Sequence, residues 1–259
     1  PAAGIAGAAI ASSVSEAVSL LFFIIYTSMT ADKRKYGFRR AFTLRPHLLK
    51  GMLSISGWTM VQSFISVSIW FIFFLAIEHL GERPLAVTNI VRNISALLIM
   101  VISAFATTAG ALISNQIGAG EQRCLFKTCG MTLKLTYAIL IPLLIILCLF
   151  PEPVLRAFTD SPSLIAASVN SVYVMASSTL IMAPSFILFN AVSGTGNTRA
   201  GFIMEMISLA VYTAVIYYGI IRLKPDVALC WFSEHVYGVT LIFLAWWYLK
   251  SGKWRGKKV

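Results

Sequence analysis

Seven long runs of apolar residues, separated by short polar segments, dominate the chain. The runs cover residues 4–29, 51–80, 86–115, 125–150, 163–190, 200–221 and 227–249. An α-helix needs about 20 apolar residues to cross the hydrocarbon core of a bilayer, and every run reaches that length. The apolar positions do not alternate with polar ones, which excludes the strands of a membrane β-barrel. The pattern therefore predicts an all-α polytopic membrane protein with seven transmembrane helices.

Composition supports a membrane protein and excludes several other classes. Of the 259 residues, 58% are hydrophobic and only 12% are charged, and the mean hydropathy is +0.81. Soluble domains contain about 45–50% apolar and about 25% charged residues. A water-soluble enzyme, a disordered chain and a disulfide-rich secreted module are therefore excluded. The four cysteines form no CxxC motif, and we interpret them as packing residues.

Basic residues are distributed unevenly between the loops and predict the orientation in the membrane. The net charge is +11; fifteen basic residues fall in alternate loops and the C-terminal tail, and four fall in the remaining loops. By the positive-inside rule, the basic side and the C-terminus are cytoplasmic. The charge thus predicts contact with membrane lipids and no nucleic-acid partner. The first run opens at Pro1 without a basic segment, so we interpret it as an interior helix of a longer protein.

A weak internal repeat favours the same interpretation. Ser15–Val18 in the first run and Ser233–Val236 in the last share the pattern Ser-Glu-x-Val, and each is followed by aromatic residues and a basic segment. An even number of spans separates the copies, so they have the same orientation, as in transporters built from parallel repeats. The repeat predicts that the first helix closes one six-helix lobe and that the other six form a second lobe. Chance agreement over four residues is the alternative.

Motifs for catalysis or metal binding are missing from the sequence. His47, His79 and His235 are not at metal-ligand spacing, and there is neither HExxH nor GxSxG. The glycine-rich segment 194–199 faintly resembles a phosphate-binding loop, but it lacks the lysine and joins two apolar helices. We predict that the chain is not an enzyme and that it has no catalytic residue and no resident metal or cofactor.

Polar residues within the third apolar run are the first candidates for a transport cavity. Arg92 lies in this run with Asn89 and Asn93, and a charge inside a membrane is costly unless it faces water, a partner or a pathway. Arg92 also belongs to a stripe of small or polar residues at helical spacing: Thr88, Arg92, Ser95, Ser103, Gly110 and Ser114. The stripe predicts either a cavity wall or a helix-packing surface with Arg92 reaching the headgroups. An ion pair between Arg92 and Glu78 is a further hypothesis.

Other intramembrane polar residues extend the set of candidates. Gln62 and Ser66 share one face of the second helix, where a cavity and an interhelical hydrogen bond are equally compatible with the pattern. Asn190 follows the helix-breaking Pro184 in the fifth helix and is a third cavity candidate.

Besides Glu78, three carboxylates lie within the apolar runs. Glu16 and Glu234, the repeat carboxylates, are weak candidates for coupling to an ion, and a buried carboxyl bonded to a neighbouring helix is the alternative. We interpret Glu205 as an acidic residue that stabilises the positive end of the sixth helix.

Three short segments together resemble a known family. They are Gly4–Ala11 with the pattern GxxGAAxA, Ile117–Glu121 with the sequence IGAGE, and Ser193–Arg199 with the sequence SGTGNTR. In order and spacing they are similar to the multidrug and toxic compound extrusion (MATE) family. The resemblance implies a twelve-helix, two-lobe transporter of the bacterial inner (plasma) membrane. Such transporters export lipophilic or amphipathic cations in exchange for Na⁺ or H⁺ while two lobes rock.

The resemblance also implies a division of the chain. Residues 1–30 would be the last helix of an N-terminal lobe, 31–50 a basic cytoplasmic loop between lobes, 51–250 a C-terminal six-helix lobe and 251–259 a basic tail. The N-terminal lobe would then be a missing partner. Many members carry carboxylates near the positions of Ile65–Ser66 and Met182, where this chain has none, so no ion site is transferred to it.

Two alternatives remain open at this point. A flippase for lipid-linked oligosaccharides, from the same superfamily, would require a cationic groove, to which Arg92 and Lys134 could contribute. A seven-helix receptor or structural membrane protein would instead have its ligand pocket within this chain.

Overall fold

The computed structural model describes residues 4–30, 46–252 and 254. Over these residues it contains nine α-helices: α1 (Gly4–Thr30), α2 (Pro46–Glu78), α3 (Glu82–Gly118), α4 (Leu125–Leu149), α5 (Pro151–Arg156), α6 (Pro162–Gly194), α7 (Thr198–Val215), α8 (Val227–Cys230) and α9 (Ser233–Ser251). A π-helix, Ile216–Arg222, continues α7. The chain divides into two compact units, residues 1–53 and 54–259.

Seven helical segments in the described part of the chain are long and apolar enough to cross a membrane, which confirms the predicted number. They are Ala9–Thr30, Ser56–Glu78, Glu82–Gly118, Leu125–Leu149, Pro162–Gly194, Thr198–Arg222 and Val227–Ser251. The predicted C-terminal boundary of the loop 31–50 is wrong, because α2 already begins at Pro46. Proline is favoured in the first helical turn, where its missing N–H needs no partner. The rest of that loop and most of the predicted tail lie outside the described residues.

The first unit contains α1, which is apolar over most of its surface and carries one short polar stripe of Ser12, Ser15, Glu16 and Ser19. Large side chains such as Phe22 and Met29 are exposed within this unit, and Glu16 is exposed as well. A helix whose surface is mostly apolar is typical of a membrane span.

The second unit is built around the close packing of α3 against α6. A Cβ atom added to Gly110 would lie 2.9 Å from the backbone oxygen of Asn190, and one added to Gly194 would overlap the backbone oxygen of Gly110. Only glycine allows the two backbones to come this close. Thr88 and Ser95, from the same predicted stripe of α3, are buried. These members of the stripe therefore form a packing surface, one of the two alternatives that the sequence left open.

Pro184 interrupts the hydrogen bonding of α6, and a side chain from α4 repairs the interruption. Proline has no N–H, so the carbonyl four residues earlier, that of Leu180, loses its helical partner. The Tyr137 hydroxyl donates a hydrogen bond of 2.7 Å to this carbonyl. Neighbouring helices commonly satisfy backbone groups freed by proline in a membrane. Tyr137 thus fixes the shape of α6 at its proline.

We expect Tyr137→Phe to destabilise the fold by about 1 kcal/mol, because the Leu180 carbonyl would lose its only replacement donor in the described structure. For a chain of this size, the melting temperature should fall by about 2–4 °C. The measurement is thermal unfolding in detergent. Tyr173→Phe is the matched control, since Tyr173 is an exposed tyrosine of α6; an equal effect of both variants would contradict the assignment.

Two of the glycine motifs form turns between helices. Gly120, in the segment 117–121, and Gly196, in the segment 193–199, have φ angles of 82° and 77°, which favour glycine. Asn197 caps α7 by accepting a hydrogen bond from the Ala200 N–H at 3.2 Å. Its amide also donates to the Tyr248 hydroxyl at 2.6 Å, which ties the turn to α9.

Candidate functional site

A cavity of about 140 Å³ lies inside the second unit, between five of its membrane-spanning helices. Its lining residues are Ser66 and Trp70 of α2, Ile99 of α3, Met182 and Phe186 of α6, Glu205, Leu209 and Tyr212 of α7, and Glu234 and Tyr237 of α9. Two of these residues are carboxylates, and none is a lysine, arginine or histidine. The cavity is therefore apolar and aromatic in its walls and acidic in its functional groups.

Glu205 is held by hydroxyl groups from two other helices. Its side chain is only 4% exposed. Its Oε1 accepts a hydrogen bond of 2.8 Å from the Ser66 hydroxyl. The Tyr237 hydroxyl lies 3.0 Å from Oε1 and 3.1 Å from Oε2. Both carboxylate oxygens thus have a donor, and α2, α7 and α9 are tied together at this residue.

Glu234 occupies the same cavity from α9 and is bound by a second tyrosine. The hydroxyl of Tyr212, which is buried, donates to Glu234 Oε1 at 2.7 Å. Glu234 itself is only half-buried. The rings of Tyr212 and Tyr237 contact each other edge to face, with centroids 5.8 Å apart. Each carboxylate therefore has its own tyrosine donor, and the two tyrosines are in direct contact.

The electrostatics of the cavity require a positive charge or a proton. Hydroxyl donors stabilise a carboxylate, but they do not neutralise its charge, and an uncompensated charge away from water is costly. The lining supplies no cationic side chain. The volume of about 140 Å³ is below the roughly 300–1,000 Å³ of cavities for drug-sized ligands, and it has room for a few water molecules at about 30 Å³ each. The cavity thus suits a small cation or a proton and is too small for a drug.

The structure brings two of the predicted site residues together in this cavity and leaves the others outside its lining. Ser66 and Glu234 line it. Gln62, one turn before Ser66, is half-buried, and its backbone oxygen lies 3.0 Å from the Ser66 hydroxyl. The Asn89 and Asn190 amides donate to carbonyls of their own helices, Leu85 and Phe186.

Arg92 does not form the ion pair that we hypothesised. Its guanidinium lies 5.3 Å from the ring centroid of Phe74, a cation–π distance, and no ion pair joins it to the exposed Glu78. The Arg92 Nε is buried without a hydrogen-bond partner among the described residues. Asn93 is exposed, as is Lys134 on α4. The pair fails because the Arg92 side chain packs on an aromatic ring of α2.

Sequence reasoning assigned Glu205 to the wrong environment. The helix α7 begins at Thr198, so Glu205 lies two turns inside it, where it does not contact the helix end. Its spacing of seven residues from Tyr212 places both on one face, a signal that the sequence already contained. Glu16, the other repeat carboxylate, belongs to the first unit, where it is exposed. Among the residues that the structure covers, no group of three or more histidine, cysteine or acidic side chains could hold a metal ion.

Comparisons with known proteins agree with this architecture. The family model MatE matches residues 59–218, more than half of the chain. The probable multidrug resistance protein NorM of Thermotoga maritima is 24% identical over 100% of this chain and 56% of its own length. The uncharacterized transporter YisQ of Bacillus subtilis is 23% identical over 81% of this chain and 46% of its own length. The chain thus spans about half the length of these curated relatives.

Solved structures show the same fold. The Vibrio cholerae MATE transporter VcmN in its bent form superimposes with a TM-score of 0.72, at 16% identity, over 80% of this chain and 48% of that one. An outward-facing multidrug resistance MATE family transporter of the MOP superfamily gives a TM-score of 0.70, at 14% identity, over 79% and 46%. The all-α fold of membrane-spanning helices is therefore that of one half of such a transporter.

Proposed function

The chain belongs to the MatE family of membrane transporters, and on that premise we propose that it forms part of a secondary antiporter. This antiporter exports lipophilic or amphipathic cations in exchange for Na⁺ or H⁺. Exchange follows if the coupling ion and the substrate favour opposite-facing states of one two-state protein.

The observation that carries the proposal is the acidic cavity between the spans. Glu205 and Glu234 line it without any basic side chain, so the cavity gains stability when a cation or proton enters and loses it when the ligand leaves. The drug itself needs a larger site, which a two-lobe transporter provides between its lobes. We therefore assign the coupling ion, and not the drug, to this cavity.

The distribution of basic residues and the bacterial relatives support an orientation and a location for the protein. By the positive-inside rule, the basic loops and tail support a cytoplasmic C-terminus. Bacterial relatives and seven membrane spans support the bacterial inner membrane as the location. Membrane lipids are then the direct surroundings of the exposed apolar side chains.

The flippase alternative is less well supported. An anionic lipid-linked sugar would require a cationic groove, whereas this cavity carries two carboxylates. Arg92 packs on Phe74, and Lys134 is exposed on α4, so neither contributes to this cavity. Membership in a family of transporters gives no support to the alternative of a seven-helix receptor.

The test is dye export by the complete protein in bacteria that lack their own drug pumps. We expect Glu205→Gln combined with Glu234→Gln to reduce the export of a lipophilic cationic dye at least about tenfold, because the loss of both charges removes about 1.4 kcal/mol or more of ion binding. The measurement is the rate of dye loss from preloaded cells, at equal protein levels in the membrane.

The matched control is Glu78→Gln combined with Glu152→Gln, which removes two exposed carboxylates. This control should export dye like the unmodified protein. Unchanged export by the Glu205/Glu234 double variant would contradict the role of the cavity, and a complete protein that exports no lipophilic cation would contradict the proposed function.

A further inference from the structure

We propose that a groove between the start of α7 and the end of α9 binds an anionic phospholipid of the cytoplasmic leaflet. The proposal goes beyond the function proposed above, because lipid binding here requires neither ion exchange nor drug export. It uses the predicted orientation, in which the basic loops and the C-terminus are cytoplasmic. Three observations support it: the shape of the groove, the change in polarity along its length, and the basic residues at one of its ends.

The α7–α9 groove is a depression of about 270 Å³ on the surface of the second unit. Its walls are formed by side chains from residues 200–207 of α7 and 244–251 of α9. Several of these side chains are exposed, Ile203 and Trp247 among them. A helical stretch of this length rises about 10 Å, or about a third of the hydrocarbon core of a bilayer. The groove therefore has the length to hold the upper part of one acyl chain.

Polarity changes along the groove as it does along a phospholipid. Ile207 and Leu244 line one end, and Tyr248 and Ser251 line the other. The Asn197 amide, at the cap of α7, donates to the Tyr248 hydroxyl at 2.6 Å, so α7 begins where α9 ends. The polar end of the groove therefore lies on the predicted cytoplasmic side, and its apolar end points toward the middle of the membrane.

Basic residues flank this polar end, and no acidic residue accompanies them in the sequence. Arg199 and Lys250 are both exposed, and each directly precedes a lining residue, Ala200 and Ser251 respectively. Segments 193–200 and 250–259 together contain six basic and no acidic residues. Clusters of about four to eight basic residues next to the cytoplasmic end of a span attract anionic lipid headgroups. The charge at this end is thus complementary to a phosphate group.

Aromatic residues of α9 place the polar end at the membrane surface. The Lys250 ammonium lies 4.6 Å from the ring centroid of the exposed Trp246, and the adjacent Trp247 lines the groove. Tryptophan concentrates at the level of the headgroups, and lysine extends from there toward water. The buried Trp254 donates from Nε1 to the Leu249 carbonyl at 2.9 Å. The basic tail therefore starts beside the polar end of the groove.

An anionic phospholipid matches these features better than other apolar ligands do. Its acyl chain would cover Ile203 and Ile207, and its phosphate would lie near Arg199 and Lys250. The Tyr248 hydroxyl accepts a hydrogen bond from Asn197, so its own hydrogen can be donated to a phosphate oxygen. A lipophilic cation would fit the same apolar walls, but the basic end of the groove would repel it.

Native mass spectrometry of the complete protein in detergent measures the binding, with phosphatidylglycerol and phosphatidylethanolamine of identical acyl chains as probes. We expect phosphatidylglycerol to bind at least about tenfold more tightly, because each basic residue near an anionic surface strengthens binding about fivefold. Equal binding of the two lipids would overturn the proposal. Retention of neither lipid would also overturn it, and would indicate that another part of the complete protein covers the groove.

The basic residues are tested by combining Arg199→Gln with Lys250→Gln. This variant should bind phosphatidylglycerol at least about tenfold more weakly and phosphatidylethanolamine as before. The matched control is Arg123→Gln combined with Lys127→Gln, which removes one exposed arginine and one exposed lysine on the same predicted side of the membrane. The control should bind phosphatidylglycerol like the unmodified protein. An equal loss in both variants would trace the effect to net charge and overturn the assignment to the groove.

Filling the groove tests its apolar part. In Ile203→Trp the larger side chain would occupy the space of the acyl chain, and we expect weaker binding of phosphatidylglycerol. Ile146→Trp is the control, because Ile146 is an exposed isoleucine of α4 outside the groove. Thermal unfolding without added lipid checks that both variants fold. Unchanged affinity of a folded Ile203→Trp protein would overturn the groove as the site.

Tryptophan fluorescence locates the lipid without a filled groove. The complete protein is placed in phosphatidylcholine vesicles that contain a small share of phosphatidylglycerol with brominated acyl chains, which quench tryptophans on contact. We expect Trp247→Phe to remove more of this quenching than Trp246→Phe, because only Trp247 lines the groove. Equal quenching in the two variants would place the lipid elsewhere and overturn the proposal. Neither measurement involves transport, so its failure would leave the antiporter intact.

Discussion

Replacing Gly194 with leucine is expected to lower the melting temperature of the protein by about 6–12 °C, the largest loss of stability that we anticipate for a single substitution. Any Cβ at this position would overlap the backbone oxygen of Gly110 on α3. Because the obstructing atoms belong to the backbone and not to a flexible side chain, α3 and α6 would have to move apart where they cross. Overpacking at such a site costs about 3 kcal/mol.

The matched control is Gly130→Leu on α4, where an added Cβ meets nothing within 4 Å. Both substitutions replace a glycine with leucine, inside α4 for Gly130 and at the last position of α6 for Gly194, so they add the same side chain. Thermal unfolding in detergent and the yield of membrane-inserted protein are the measurements. Equal melting temperatures for Gly194→Leu and Gly130→Leu would contradict the close packing of α3 against α6.

Leu209→Lys is expected to abolish dye export while leaving the protein folded. Leu209 lines the acidic cavity one turn after Glu205 on α7. A lysine four residues after a glutamate reaches it on a helix surface. The ammonium group would then neutralise the carboxylate permanently and occupy the space of the exchangeable ion. We expect export to fall at least about tenfold, as with the removal of the carboxylates.

Leu209→Met serves as the control, since it keeps the site apolar and changes little volume. Dye export is measured at equal protein levels, and thermal unfolding confirms that the lysine variant folds. Normal export by a folded Leu209→Lys protein would show that the cavity is not the site of ion exchange. Loss of export in Leu209→Met as well would trace the effect to packing and not to charge.

Fold class was predictable because it depends on local features of the chain. Each membrane span is identified by its length and apolarity, since the bilayer requires about 20 such residues whatever the neighbouring helices are. The short helix α5 and the π-helix after α7 were not predicted. Short or irregular turns carry too few residues for a hydrophobic period to identify them.

The candidate site was only partly predictable. Ser66 and Glu234 were selected because polar groups inside spans are costly, and both line the cavity. Asn89 and Asn190 were selected for the same reason, yet they bond to their own helices. An amide or hydroxyl can satisfy itself within its own helix, so its polarity alone does not reveal whether it faces a cavity.

By itself, the sequence determined that seven helices span a membrane, that alternate loops are basic, and that the glycine-rich segment 194–199 joins two helices. Each of these properties depends only on the residues of one segment and on whether lipid or water surrounds that segment. Only the tertiary structure brought Glu205 beside Ser66 and Tyr237 and placed Glu234 with Tyr212. Each of these contacts joins two or more helices, and the rotation of each helix about its axis is set by side-chain packing, which no single segment encodes.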